Sequence, residues 1–276
     1  MMLWCACSTH AQEPVTGPGG FSPIDSLSSR HTVSTWMLGG IVTASLVDSY
    51  FAWWSNAERP FSFYTEDWLN GPHLGIDKPG HFFGTYFIFH LVRDVMLWGG
   101  YGNATANWWA IGLSSFHGLS VEIGDGFSPY GFDYQDLLFN FGGVAYAFLQ
   151  TEFPYLQNFN FKFSYWSSKG LKSPANFTED YDALTIWLSM NMHEILPEPV
   201  GKFWPEFLQV AVGYGVGEHE TKREFVIGLD FNLEAFQFHN DDVLLAQKIL
   251  NTMHFPAPAV KFTPRREPTY YLFHLR

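Results

Sequence analysis

Apolar positions along this chain repeat with two periods, and the change falls at Pro154. Upstream, four stretches carry helical spacing. The first runs from about Thr32 to Asn56, "TVSTWMLGGIVTASLVDSYFAWWSN". Its apolar span approaches the ~20 residues that cross a bilayer, although Asp48 interrupts it. The second begins at Pro79, a residue favoured at the first helical position, and ends near Trp98, where "GGYGN" stops it. The third runs from about Ala106 to Val121 and the fourth from about Tyr134 to Gln150. Asp133 is positioned as the N-cap of the fourth helix, with Asp136 at its N3 position near the positive helix end.

Beyond Pro154 the pattern alternates. "ALTIWLSMN" sets Leu184, Ile186, Leu188 and Met190 on one face, and "FLQVAVGYG" does the same with Leu208, Val210, Val212 and Tyr214. "EFVIGLDFNL" follows with Phe225, Ile227, Leu229, Phe231 and Leu233. These segments predict half-buried antiparallel strands. "KFSYW", "PAVKF" and "YYLFHL" add three more, with a helix from about Asp242 to Thr252. The total falls short of the roughly eight strands of the smallest outer-membrane barrels, so the expectation is a sheet packed against the helices. The predicted fold is α+β: an N-terminal four-helix unit, membrane-associated, followed by an antiparallel β region. Residues 1–31 form an export-signal remnant and flexible lead-in, 32–154 the helical unit and 155–276 the β-rich region.

Composition sharpens this picture. Aromatic residues make up 19% and charged residues 15%, against roughly 25% charged in an ordinary soluble domain. Such a chain suits contact with lipid or a large apolar partner. The mean hydropathy of -0.05 is too low for a chain built mostly of membrane spans. A net charge of -12 excludes nucleic acid as a partner, because phosphate binding needs a basic stripe. The expected partners are membrane lipid and a protein partner or second copy. Cys5 and Cys7 lie together in "MMLWCACSTHAQEP", so no structural disulfide can form downstream. This head resembles the end of an export signal with a cleavage point after Ala11. A lipid-modified Cys5 or Cys7 and a plain disordered start are the alternatives.

The candidate chemistry gathers at helix ends. "GIDKPGHFFGTYFIFHL" places Asp77, Lys78 and His81 at the mouth of the most apolar helix. Glu122 and Asp125 close the third helix, and Asp133, Asp136 and Asn140 open the fourth. Asp136, Asn140, Gly143 and Ala147 form a polar-to-small stripe that lets another helix approach closely. His90 lies about half a turn round from His81 and cannot serve the same site; with Arg93 and Asp94 it forms a separate polar seam.

"GIDKPGHFFGTY", followed after an intervening helix by "EIGDGFSPYGFDYQDLLFNFGG", resembles the YfiM-like family of predicted bacterial envelope lipoproteins, a family without an established activity. The order of motifs is more distantly similar to VanZ-like membrane proteins. The resemblance implies a periplasm-facing envelope location, at the outer rather than the inner membrane. It places Asp77, Lys78, His81, Glu122, Asp125, Asp136 and Asn140 on the motif positions.

Three readings of this cluster stay open. It is a closed ion-pair network, since buried charges need partners. It is a divalent-metal site built on His81 and carboxylates. Or it is a metal-free acid–base centre. "GLSSFHG" contains no G-x-S-x-G elbow, so covalent catalysis has no support. The expected function is a structural or interaction role in the envelope; the alternative is a hydrolase or transferase acting on a lipid-linked or cell-wall glycan.

Overall fold

The computed structural model describes residues 27–54, 59–65, 67, 68, 70, 71, 73–167 and 180–276; the Cys5, Cys7 and Ala11 features lie outside them. Helix α1 spans Leu27–Ser49 and runs into a π-helical turn at Tyr50–Trp54, so it starts earlier and ends earlier than its apolar pattern predicts. Helix α2, Asp77–Trp98, starts two residues before Pro79. Pro79 still sits in the first turn, where the missing N–H has no intrahelical acceptor. What sets the start is the backbone just upstream. Leu74 and Gly75 adopt positive φ angles of 53° and 76°, and the Tyr214 hydroxyl donates to Leu74 O at 2.6 Å.

Helix α3, Asn103–Gly126, outruns its predicted end. It continues through Gly124 and Gly126, where Trp54 and Phe61 occupy the space a side chain would fill. Helix α4, Tyr134–Glu152, is capped as its sequence predicts: Asp133 accepts from Gln135 N at 2.8 Å. Ahead of it, β1 (Phe63–Tyr64) pairs in parallel with β2 (Phe132–Asp133), which fixes where α4 begins.

Six antiparallel strands follow in sequential order: β3 (Phe159–Tyr165), β4 (Leu184–Met190), β5 (Leu208–Gly217), β6 (Lys222–Phe231), β7 (Ala257–Phe262) and β8 (Thr269–His274). Short helices α5 (Met192–Ile195) and α6 (Glu198–Gly201) lie between β4 and β5, and α7 (Asp241–Leu250) between β6 and β7. One face carries the register Phe163, Ile186, Tyr214, Phe225 and Phe262 across five strands. Its first part packs with Phe83, Tyr86, Phe89 and Val144 of α2 and α4 in the main core.

That apolar face is not the buried face throughout. Phe225 and Ile227 are about half exposed, while Lys162, Ser189, Gln209 and Asp230 on the other face are at most 1% exposed. The reason is curl. Phe163 N donates to Thr252 O at 3.1 Å, and His254 N donates to Phe163 O at 2.8 Å, so the free edge of β3 meets the segment before β7. The sheet rolls round Trp187, with Ala211, Val226 and Ala259 against it. Gly213 is required there, since a Cβ would come within 2.7 Å of the indole. Among the described residues, no helix is long and apolar enough to cross a membrane.

Candidate functional site

The start of α2, the end of α3 and the start of α4 meet at one point. Lys78, 2% exposed, lies there with its Nζ 2.7 Å from Asp136 Oδ1, 2.9 Å from Asp77 Oδ2 and 3.4 Å from Asp133 Oδ2. One turn on, His81 stands between two carboxylates: Nδ1 is 3.3 Å from Glu122 Oε1 and Nε2 is 3.7 Å from Asp136 Oδ2. Asn140 Nδ2 donates to Glu122 Oε1 at 2.9 Å and to Gly118 O at 3.3 Å.

Small residues permit this convergence. A Cβ on Gly143 would lie 2.1 Å from Phe82 O, and one on Gly118 would lie 2.9 Å from the Asn140 Cβ. Thr85 Oγ1 donates to Asn140 O at 2.7 Å, a direct bond between α2 and α4. The small stripe predicted on α4 therefore faces α2 at close range.

Charge is unbalanced. Five carboxylates (Asp77, Glu122, Asp125, Asp133 and Asp136) surround Lys78 and His81. Burial opposes a charged His81 ring, but Asp136, Glu122, Asp125 and Asp77 outweigh it and hold its pKa above the ordinary value. Burial pushes Glu122 up to about 8 and Asp125 up to about 6, with His81 pulling each back. Asp136 is raised for the same reason, opposed by His81 and Lys78. His81, Glu122 and Asp136 can each present one ligand atom such that all lie within 4.8 Å of one another.

All seven predicted site residues stand in this neighbourhood. Sequence reasoning placed Asp133 among the polar residues at helix ends and as the α4 cap but not among the seven site residues, whereas its second oxygen also faces Lys78. It missed the groove beside the cluster altogether. That groove, about 950 Å³, is walled by Ile41 of α1, Gly84 and Ile88 of α2, Val121 of α3, and Phe163 and Leu184 of the sheet. Asp77, His81 and Asn140 are the cluster members on its wall. His117, bonded to Ser45 Oγ, also lines it, and burial lowers its pKa to about 4, which keeps the ring neutral. The available signal was the pair Gly80 and Gly84, one turn apart inside an apolar helix. His90 stands away from the groove and donates through Nε2 to Gln150 Oε1 at 3.0 Å.

Residues 65–152 match the model of a family described as a predicted periplasmic lipoprotein (DUF2279), and the seven residues fall inside that span. The match covers less than half of the chain and is consistent with an envelope protein without established activity. No curated protein and no solved structure matches the chain.

Proposed function

We propose that this protein holds a lipid-like amphiphile at the envelope membrane, in a binding rather than a catalytic role. The apolar chain lies in the groove and the polar end meets Asp77, His81 and Asn140. One observation carries the reading: an apolar groove of about 950 Å³ opens onto a buried cluster of ionisable groups. Apolar area removed from water contributes about 25 cal/mol per Å², so a long chain in the groove gains affinity while the cluster fixes its orientation. Gly80 and Gly84 support it, because a Cβ at either would meet nothing within 4 Å. The helix forgoes about 1 kcal/mol at each, relative to Ala, and in exchange presents bare backbone to an occupant. The carboxylates that raise the pKa of His81 favour its protonated ring, which donates hydrogen bonds to a polar end. The likeness of residues 65–152 to predicted periplasmic lipoproteins supports the envelope setting.

The test is displacement of a fluorescent long-chain fatty acid, with native mass spectrometry of co-purified lipid. Wild type binds the probe, and Gly84→Phe, which fills the groove, loses it while staying folded. Equal binding by both proteins, or none by wild type, overturns the reading.

A second reading rests on the trio His81, Glu122 and Asp136, whose ligand atoms converge within 4.8 Å. One imidazole with carboxylates fits a divalent cation such as Mg, Mn or Zn. A bound ion would supply Lewis-acid chemistry to a hydrolase or transferase acting on a lipid-linked or cell-wall glycan. Elemental analysis of wild type against His81→Ala decides it. Stoichiometric metal that vanishes in a still-folded variant supports the metal site; wild type that stays metal-free after loading rejects it.

A further inference from the structure

Helix α2 separates the groove from a second cavity of about 690 Å³. Tyr86, His90 and Asp94 line this cavity at four-residue spacing, while His81, Gly84 and Ile88 line the groove on the opposite side of the helix. The two linings share no residue. Their chemistry also differs, for eight of the twenty residues around the second cavity are Asn or Gln.

Several of these carboxamides form a fixed frame. Gln150 Nε2 donates to Leu156 O at 3.0 Å and Phe159 O at 2.9 Å, and its Oε1 accepts from His90. Asn160 Nδ2 donates to Gln157 O at 2.7 Å. Asn251 Oδ1 accepts from Lys162 Nζ at 3.1 Å and from Leu233 N at 2.9 Å. Set into that frame, Gln209 is 1% exposed, yet its Oε1 has no partner among the described residues, and the same holds for Asn191 Oδ1. Buried amide oxygens are nearly always bonded, and both residues line the cavity, so an occupant would supply the donor that each oxygen lacks.

The charges disfavour an anion as that ligand. Lys248 Nζ is 2.9 Å from Asp94 Oδ1, and Arg93 donates to Asn107 at 2.8 Å and Asn103 at 3.0 Å. Glu194 and Glu234 line the cavity too, so acidic groups outnumber basic ones. Tyr86, Tyr155 and Phe161 supply aromatic surface.

We propose that this cavity binds a neutral saccharide. A carboxamide offers a donor and an acceptor side by side, which matches hydroxyls that both donate and accept. Aromatic rings cover the apolar C–H faces of a pyranose. The volume falls within the ~300–1,000 Å³ of small-molecule sites. This site is independent of the groove and of the reading placed on it.

The experiment is isothermal titration calorimetry on the full chain, with a trimer of N-acetylglucosamine, maltotriose and inorganic phosphate as probes. At least one saccharide binds, and Gln209→Leu weakens it by about tenfold or more, a loss of the size expected for one buried polar contact. Asn191→Ala weakens it as well and replaces Gln209→Leu should that variant not fold. Gly84→Phe leaves saccharide binding unchanged, which separates this site from the groove. No binding of either saccharide, binding of phosphate in their place, or saccharide binding untouched by both cavity variants overturns the proposal.

Discussion

Buried ionisable side chains in this molecule are handled in two opposite ways. Lys78 is wrapped by Asp136 and Asp77, whose pull outweighs the cost of burial and raises its pKa. His274 is 3% exposed inside the rolled sheet, and among the described residues no carboxylate side chain pairs with it. Its ring stands perpendicular to those of Trp187 and Tyr271, and burial together with Lys261, His254 and Arg276 lowers its pKa to about 4. His254, stacked on Trp187 at 3.8 Å, is lowered as well, mainly by burial, with Asp230 opposing. The consequence for stability has a definite sign. In the unfolded chain a histidine takes up a proton below about pH 6.5, whereas folded His274 resists until about 4. Stability is therefore full above about pH 6.5 and falls as the pH drops toward 4, by roughly 1–3 kcal/mol for this residue. His274 Nδ1 has no partner among the described residues, so His274→Phe sacrifices no hydrogen bond at that atom. Urea unfolding at about pH 7 and about pH 5 should show a smaller pH-dependent loss in His274→Phe than in wild type. The same loss in both would place the proton uptake elsewhere.

At the scale of elements, the paired helices α2 and α4 carry glycines of two kinds. Gly84 faces open space in the groove, whereas the α4 glycine opposite α2, Gly143, is pressed against Phe82 O. The same substitution should then act in opposite directions. Gly84→Ala gains about 0.5–1 kcal/mol from helix propensity alone. Gly143→Ala loses about 1–3 kcal/mol, because α2 and α4 must separate to admit the methyl group. Chemical denaturation of the two single variants checks this, and a shift of the same sign in both would refute the packing assigned to α2 and α4. This contrast also marks what the sequence disclosed. The helices were legible because their apolar spacing is regular, and the cluster was legible because Asp77, Lys78 and His81 are rare residues at the start of an apolar run. Strand positions were legible for the same reason, but not which side of the sheet is buried. The alternation in "EFVIGLDFNL" is unambiguous, yet Phe225 and Ile227 end up outside because the curl closes round Trp187. Curl depends on small residues in different strands, Gly213 and Ala259 among them, and a single strand's pattern does not encode it. The groove escaped for a related reason: its walls come from α1, α2, α3, the sheet and the segment before β7.

The whole molecule keeps much of its aromatic and aliphatic surface outside. On α3, Trp109, Phe116, Leu119 and Ile123 are exposed at steps of seven, three and four residues, and on α4 Tyr134, Leu138, Phe141 and Leu149 at steps of four, three and eight, one face of each helix. Such stripes are the mark of a helix face that meets another apolar phase. A lipid surface fits the proposed role, since α1 and α3, which wall the groove, also expose Trp36 and Trp108, and the π-helical turn after α1 exposes Phe51. The net charge of -12 adds a constraint, because it repels anionic headgroups. Attachment should therefore rest on apolar insertion, favour zwitterionic over anionic vesicles, and change little with salt on the zwitterionic ones. Flotation of protein made without lipid modification tests this. Wild type floats with phosphatidylcholine vesicles, and the double variant Phe116→Lys with Leu138→Lys stays behind at an unchanged unfolding midpoint, since both side chains are half exposed or more. Flotation of the double variant equal to wild type, or no flotation of either, would leave the outer stripes of α3 and α4 to a protein partner instead.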